Sequence, residues 1–126
     1  MEDFVPFEIA IKIKENGFNI PFYFYYRTDD KLLRHANITN PLVYGDEVDD
    51  EVIIAPTISQ VLKWLRKEKK IHIVCPFYRD KGFYYYVQEI GNAARIVSSF
   101  GDDDDCFNSY EQAAITGIQY VLDNIL

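Results

Sequence analysis

Apolar and polar positions along the chain follow two rhythms, and the places where the rhythm changes mark the elements. In "TISQVLKWLRKEKK" (57–70) the spacing is helical. Ile58, Val61, Leu62 and Leu65 fall on one stripe, and Lys63, Arg66, Lys67 and Lys70 lie away from it. Thr57 and Gln60 have capping-box spacing, which predicts the helix start. "SYEQAAITGIQYVLDNIL" (109–126) predicts a last helix in the same way. Ser109 and Gln112 form a second capping box, and Ala114, Gly117, Ile118, Val121, Leu122 and Ile125 supply the buried face.

Elsewhere the period is two. "IPFYFYYR" (20–27) predicts a strand with Phe22, Phe24 and Tyr26 on one face and Tyr23, Tyr25 and Arg27 on the other. "IHIVCPF" (71–77) and "FYYYVQEI" (83–90) predict the two arms of a hairpin around the turn "YRDKG". "GNA" offers another turn into "RIVSSF", a third strand. Residues 28–54 predict a long connection, with a short extended piece at "PLVYG" or "EVIIA". "FEIAIKIKENGFN" (7–19) fits both rhythms. Phe7, Ile9, Ile11 and Ile13 alternate as in a strand. Val5, Ile9 and Ile13 also repeat every four residues, with Pro6 near a helix start and Asn16-Gly17 as a stop. Alternation alone slightly favours the strand.

The chain has 126 residues, 48% hydrophobic and 16% aromatic. That length and composition suit a single domain over 1–126 with one real core. No apolar run of about 18 residues occurs, so no membrane span is expected. "MEDFVPFEIA" does not read as a secretory signal, and the expected location is the cytoplasm. Cys75 and Cys106 lack Cys-x-x-Cys spacing, and no second Cys/His pair completes a zinc site. Cys75 reads as a reduced core thiol. The four aspartates before Cys106 would raise its pKa and make it a poor nucleophile.

The net charge of −7 opposes non-specific nucleic-acid binding by the whole molecule. The charge is uneven. Residues 63–81 carry seven cations against Glu68 and Asp80, which leaves that segment at +5 and the remainder at −12. The acid concentrates in "GDEVDDE" (45–51) and "GDDDD" (101–105).

"KGFYYYVQ" (81–88) approximates an RNA-recognition signature, Lys/Arg-Gly-aromatic-small-Phe-Val-x-aromatic. In that signature the stacking rings would be Phe83 and Tyr85, with Val87 beside them. The match is partial, because Tyr84 stands where a small residue belongs and Gln88 where an aromatic belongs. The simpler expectation is that Phe83, Tyr85 and Val87 pack the core. Tyr84 and Tyr86 then half-cover an open sheet face and, with Tyr23 and Tyr25, form a partner-binding surface. Trp64, at the edge of its helical stripe, reads either as a core cap or as an interface anchor beside Arg66 and Lys67.

The acidic clusters do not make a metal site. Asp102, Asp104 and Glu111 fail as an EF-hand, because Cys106 takes the third ligand position and the central Gly is missing. Asp46, Asp49 and Asp50 lack a partner carboxylate at defined spacing, so solvated loops are expected. His35 is expected in a loop and His72 in a strand. No catalytic motif is found, so no catalytic residue, metal or cofactor is expected.

Three blocks, "FEIAIKIKENGF", "APTISQVLKWLRKEKKIHI" and "SYEQAAITGIQYVLDNIL", amount to 49 of the 126 residues. Together they resemble a group of small proteins encoded by bacteriophages and other mobile elements. The middle block, with Pro56, Thr57, Trp64, Leu65 and Arg66, carries most of the likeness. The resemblance implies a helix for the first block, with Gly17 as its C-cap. It implies a context and no mechanism.

The expected order is then α-β-α-β-β-(β)-α. That is a two-layer α+β fold with a small, mainly antiparallel sheet of three or four strands and three helices. The expected function is that of a small non-enzymatic interaction protein of a phage or mobile element, working through a protein–protein surface and including a homodimer. The alternatives are a weak single-stranded nucleic-acid binder, with Lys63, Lys67, Lys70 and Lys81 on phosphates beside the strand tyrosines, or an acidic mimic of nucleic acid.

Overall fold

The computed structural model describes residues 3–18, 24–35, 52–79, 81–99 and 106–126. The chain is α+β, with three helices and small antiparallel sheets among the described residues, and it divides into two compact units, Met1–Thr57 and Ile58–Leu126.

In the first unit the 7–15 segment is helix α1 (Phe7–Glu15). Burial explains why the strand reading loses. Ala10 is 1% exposed, whereas Ile11, which a strand would bury, is only half-buried. The buried set is Phe7, Ile9, Ala10 and Ile13, a helical stripe. The stop is a Schellman turn. Phe18 N–H donates to the Ile13 carbonyl and Gly17 N–H to the Lys14 carbonyl, both at 3.1 Å. Gly17 takes the left-handed φ of +91° that this motif requires.

Beside the helix lies a sheet in the order β2-β1-β3. Its strands are β1 (Phe24–Arg27), β2 (Leu33–His35) and β3 (Val52–Ile54). Both pairings are antiparallel. β3 realises the expected extended piece at "EVIIA". His35, expected in a loop, ends β2 and pairs with Phe24, because the tight turn over 28–32 sends the chain back along β1. Tyr26 ties the unit together. Its ring meets Phe7 edge-on at 5.7 Å, and its hydroxyl donates to the fully buried Val5 carbonyl at 2.7 Å. The "PLVYG" piece, Phe22, Tyr23 and both acidic clusters lie outside the described residues.

The second unit begins with α2 (Ile58–Glu68), whose buried residues are Ile58, Val61, Leu62, Trp64 and Leu65. Each such side chain contributes roughly 1.5–3 kcal/mol on burial. The sheet that follows has the order β4-β7-β8, from β4 (Ile71–Val74), β7 (Tyr86–Glu89) and β8 (Asn92–Ser98). Ile73 opposes Val87, and Val87 opposes Val97. The last helix, α3 (Tyr110–Asn124), starts at Ser109, whose hydroxyl accepts from Gln112 N–H at 3.2 Å. The return bond of the expected capping box shifts by one residue, and Gln112 Oε1 accepts from Asn108 N–H instead.

The expected long hairpin breaks in the middle. Residues 75–76 and 84–85 leave the ladder, and a separate short hairpin forms from β5 (Phe77–Tyr78) and β6 (Gly82–Phe83). Pro76 has no N–H to donate to a ladder, which favours the first break. Among the described residues the strands form two three-stranded sheets and this hairpin.

Candidate functional site

The three consecutive tyrosines part company in space. Tyr85 is 7% exposed and Val87 is 3% exposed. Gly117 makes this burial possible. A Cβ there would stand 3.0 Å from Ile73 Cγ2 and 3.2 Å from the Tyr85 ring, so α3 approaches more closely than a side chain fits without its neighbours giving by a few tenths of an ångström. Ser99 fixes the Tyr85 backbone, accepting from its N–H at 3.0 Å through Oγ. Burial pushes the Tyr85 phenol above its usual range, with the neighbouring Tyr120 adding to the rise. A ring held this way is not free to stack on a base. Tyr84 and Tyr86 are half-buried.

Of the other expected surface residues, Tyr25 belongs to the first unit, is half-buried and is already engaged, whereas Tyr84 and Tyr86 belong to the second. Trp64 is 9% exposed, and Lys69 Nζ lies over its ring at 5.5 Å. The indole is part of the core. It points inward because it extends the stripe of Val61 and Leu65. Lys63, Lys67, Lys70 and Lys81 are all exposed, and Lys70 takes a positive φ of 58° where α2 turns into β4.

A different set of rings reaches the surface. Phe77 is 62% exposed, Tyr110 40% and Tyr78 37%. The half-buried Phe83 joins them. Its ring meets Phe77 edge to face at 5.1 Å and Tyr110 at 6.3 Å. Arg79, exposed at the hairpin turn, lies over the Tyr78 ring at 5.9 Å. β6 is anchored on its far side. Phe83 N–H donates to the Phe107 carbonyl at 2.9 Å, and Phe107 N–H donates back at 2.6 Å.

Alternation along the strand gave no warning of this cluster, because it assigns Phe77 to the same buried run as Ile71 and Ile73. The available signal was Pro76, which interrupts the run before Phe77.

Burial pushes the Cys75 thiol up to about 11, so it is protonated at neutral pH and a weak nucleophile. Among the described residues no three His, Cys, Asp or Glu side chains converge on one point, and no helix is long and apolar enough to cross a membrane. A cavity of about 10 Å³ between Ile71, Val87, Val97 and Ile125 has room for one water at most. Comparison of the chain with protein-family models, curated proteins and solved structures gives no match.

Proposed function

We propose that the chain is a non-catalytic binding protein that recognises another protein through the aromatic patch of Phe77, Phe83 and Tyr110. The exposure of Phe77 carries this reading. A phenylalanine 62% open to water, fixed edge-on against a second ring, is an apolar surface with a defined shape. The likeness of its three blocks to small phage and mobile-element proteins supplies the setting.

The test is selection of a displayed random-peptide library on the immobilised protein and on a Phe77→Ser/Tyr110→Ser variant. Phe77 is 62% exposed and Tyr110 is 40% exposed, so the variant should retain its far-UV circular dichroism and a cooperative unfolding transition. Peptides enriched on the wild type alone support the reading. The same peptides on both proteins, or none on either, overturn it.

A further inference from the structure

Helix α2 carries a second surface, which shares no residue with the aromatic patch. Ser59, Gln60, Lys63, Arg66 and Lys67 are exposed. At 3.6 residues per turn they fall on one face, opposite the buried stripe. Lys70 is exposed just past the helix end. Glu68 is the one carboxylate of the helix. It stands about 100° or more around the axis from Lys63, Arg66 and Lys67. Those three cations form no ion pair among the described residues, unlike Arg27 with Asp29 and Arg34 with Asp30.

An ordinary solvated face mixes signs. Helix α1 does so, with Glu8 four residues before Lys12 and Glu15 beside Lys14. On α2, Lys63 repels Arg66 and Lys67 across one turn, and no acid on the face offsets them. An anion from outside relieves that repulsion. Glu111, half-buried on α3, outweighs Arg66 at the Tyr110 ring, so the two lysines are the stronger part of the face. The acid of the chain lies mainly elsewhere. Residues 1–57 hold five Lys and Arg against eleven Asp and Glu, and residues 58–126 hold eight against nine. Four of those nine stand in the run 102–105, outside the described residues.

We infer that this face of α2 binds the phosphate backbone of duplex nucleic acid without reading its sequence. A duplex carries one negative charge per about 1.7 Å of its axis, so the ~6 Å rise from Lys63 to Lys67 spans several phosphates. Lys, Arg, Ser and Gln are the side chains that contact phosphate oxygens. A protein interface has an apolar or aromatic centre and is depleted in Lys, whereas this face has no apolar residue. An anionic membrane holds a helix by an apolar face, and that of α2 is buried in the core. Single strands stack on rings, and Trp64, the one ring of the helix, is buried. The net charge of −7 keeps the affinity low and confines contact to this face.

The experiment titrates the full chain, up to about 10⁻⁴ M, into labelled duplex DNA and duplex RNA and reads anisotropy. Binding of either duplex supports the inference, and the tighter one names the source of the phosphate. Three contacts should make binding about 40-fold weaker at 200 mM than at 50 mM salt. Lys63→Gln/Lys67→Gln leaves one contact and should cut that ratio to about fourfold. Both lysines are exposed, so the variant should keep its unfolding transition. Lys63→Glu/Lys67→Glu should bind at least about tenfold more weakly at low salt. Arg79→Glu/Lys81→Glu changes the net charge equally at the β5–β6 turn and should lose no more than about threefold. Equal losses in the two reversals, no binding of either duplex at low salt, or equally tight binding of a single strand overturns the inference. Displacement of the duplex by poly-glutamate or by phosphatidylserine vesicles at equal charge would overturn it in favour of an acidic protein or a membrane. The aromatic patch is tested through Phe77 and Tyr110, so the two readings fail separately.

Discussion

Gly82→Ala places a methyl group inside van der Waals contact with the Phe107 carbonyl oxygen and 3.4 Å from Cys106 Cβ. The struck atom is main chain, and it accepts the bond from Phe83 N–H. It cannot retreat without breaking the two bonds that anchor β6. At φ +121° an L-residue also carries backbone strain, about 1–2 kcal/mol. Losing two main-chain bonds costs roughly 0.5–1.5 kcal/mol each, so the total is about 2–5 kcal/mol. Gly91→Ala is the control. Its φ is +90°, but no atom lies within 4 Å of the added methyl, so only the strain of about 1–2 kcal/mol applies. Urea unfolding followed by Trp64 fluorescence compares them, since all three residues belong to the second unit. With a slope of ~1.5 kcal/mol per molar, the two midpoints should differ by roughly 1 M. Amide exchange at Phe107 should accelerate in Gly82→Ala alone. Equal midpoints and unchanged exchange would refute the claim that β6 depends on close approach to Phe107.

Three further outcomes are expected. Tyr26→Phe leaves the buried Val5 carbonyl without its donor and should cost about 1–3 kcal/mol in chemical unfolding. Burial, with a smaller push from Glu8, raises the Tyr26 phenol above its usual range, so the fold favours the neutral hydroxyl. Its contribution is complete below the unfolded value near 10 and is lost as pH rises through the folded one, so Tyr26→Phe should flatten the alkaline limb of the stability profile. Cys75, at about 11 against an ordinary 9.0, has about a hundredfold less thiolate than a free cysteine. Mass spectrometry should show it alkylated by iodoacetamide more slowly by a similar factor. Ser109→Ala removes the α3 cap and should lower stability by about 1 kcal/mol, checked by thermal unfolding.

The fold was legible where the signal was local. The stripe of Ile58, Val61, Leu62 and Leu65 and the cap at Ser109 each report on neighbours within four residues, so α2 and α3 emerged with most of their buried faces, although Trp64 and Ala113 join them and Ile125 is only half-buried. α1 was harder, because Phe7, Ile9, Ile11 and Ile13 satisfy two periods at once. Only the burial of Ala10 in place of Ile11 separates them. β2 escaped notice because "LRH" carries no alternation to read, and its pairing with β1 is a tertiary choice.

The sequence by itself determined that the acidic chain has a basic stretch over 63–81 and that two amphipathic helices need a sheet to cover. A period of two defines two faces and is silent on which one a helix will cover. Tertiary structure decided that, because Gly117 lets α3 close over Tyr85. It also decided where the exposed aromatics stand. The ladder breaks at residues 75–76 and 84–85, and Phe83 exchanges main-chain bonds with Phe107, 24 residues further along the chain. Pairing over that separation depends on loop closure and on the competing demands of every other strand, which no local pattern of side chains encodes.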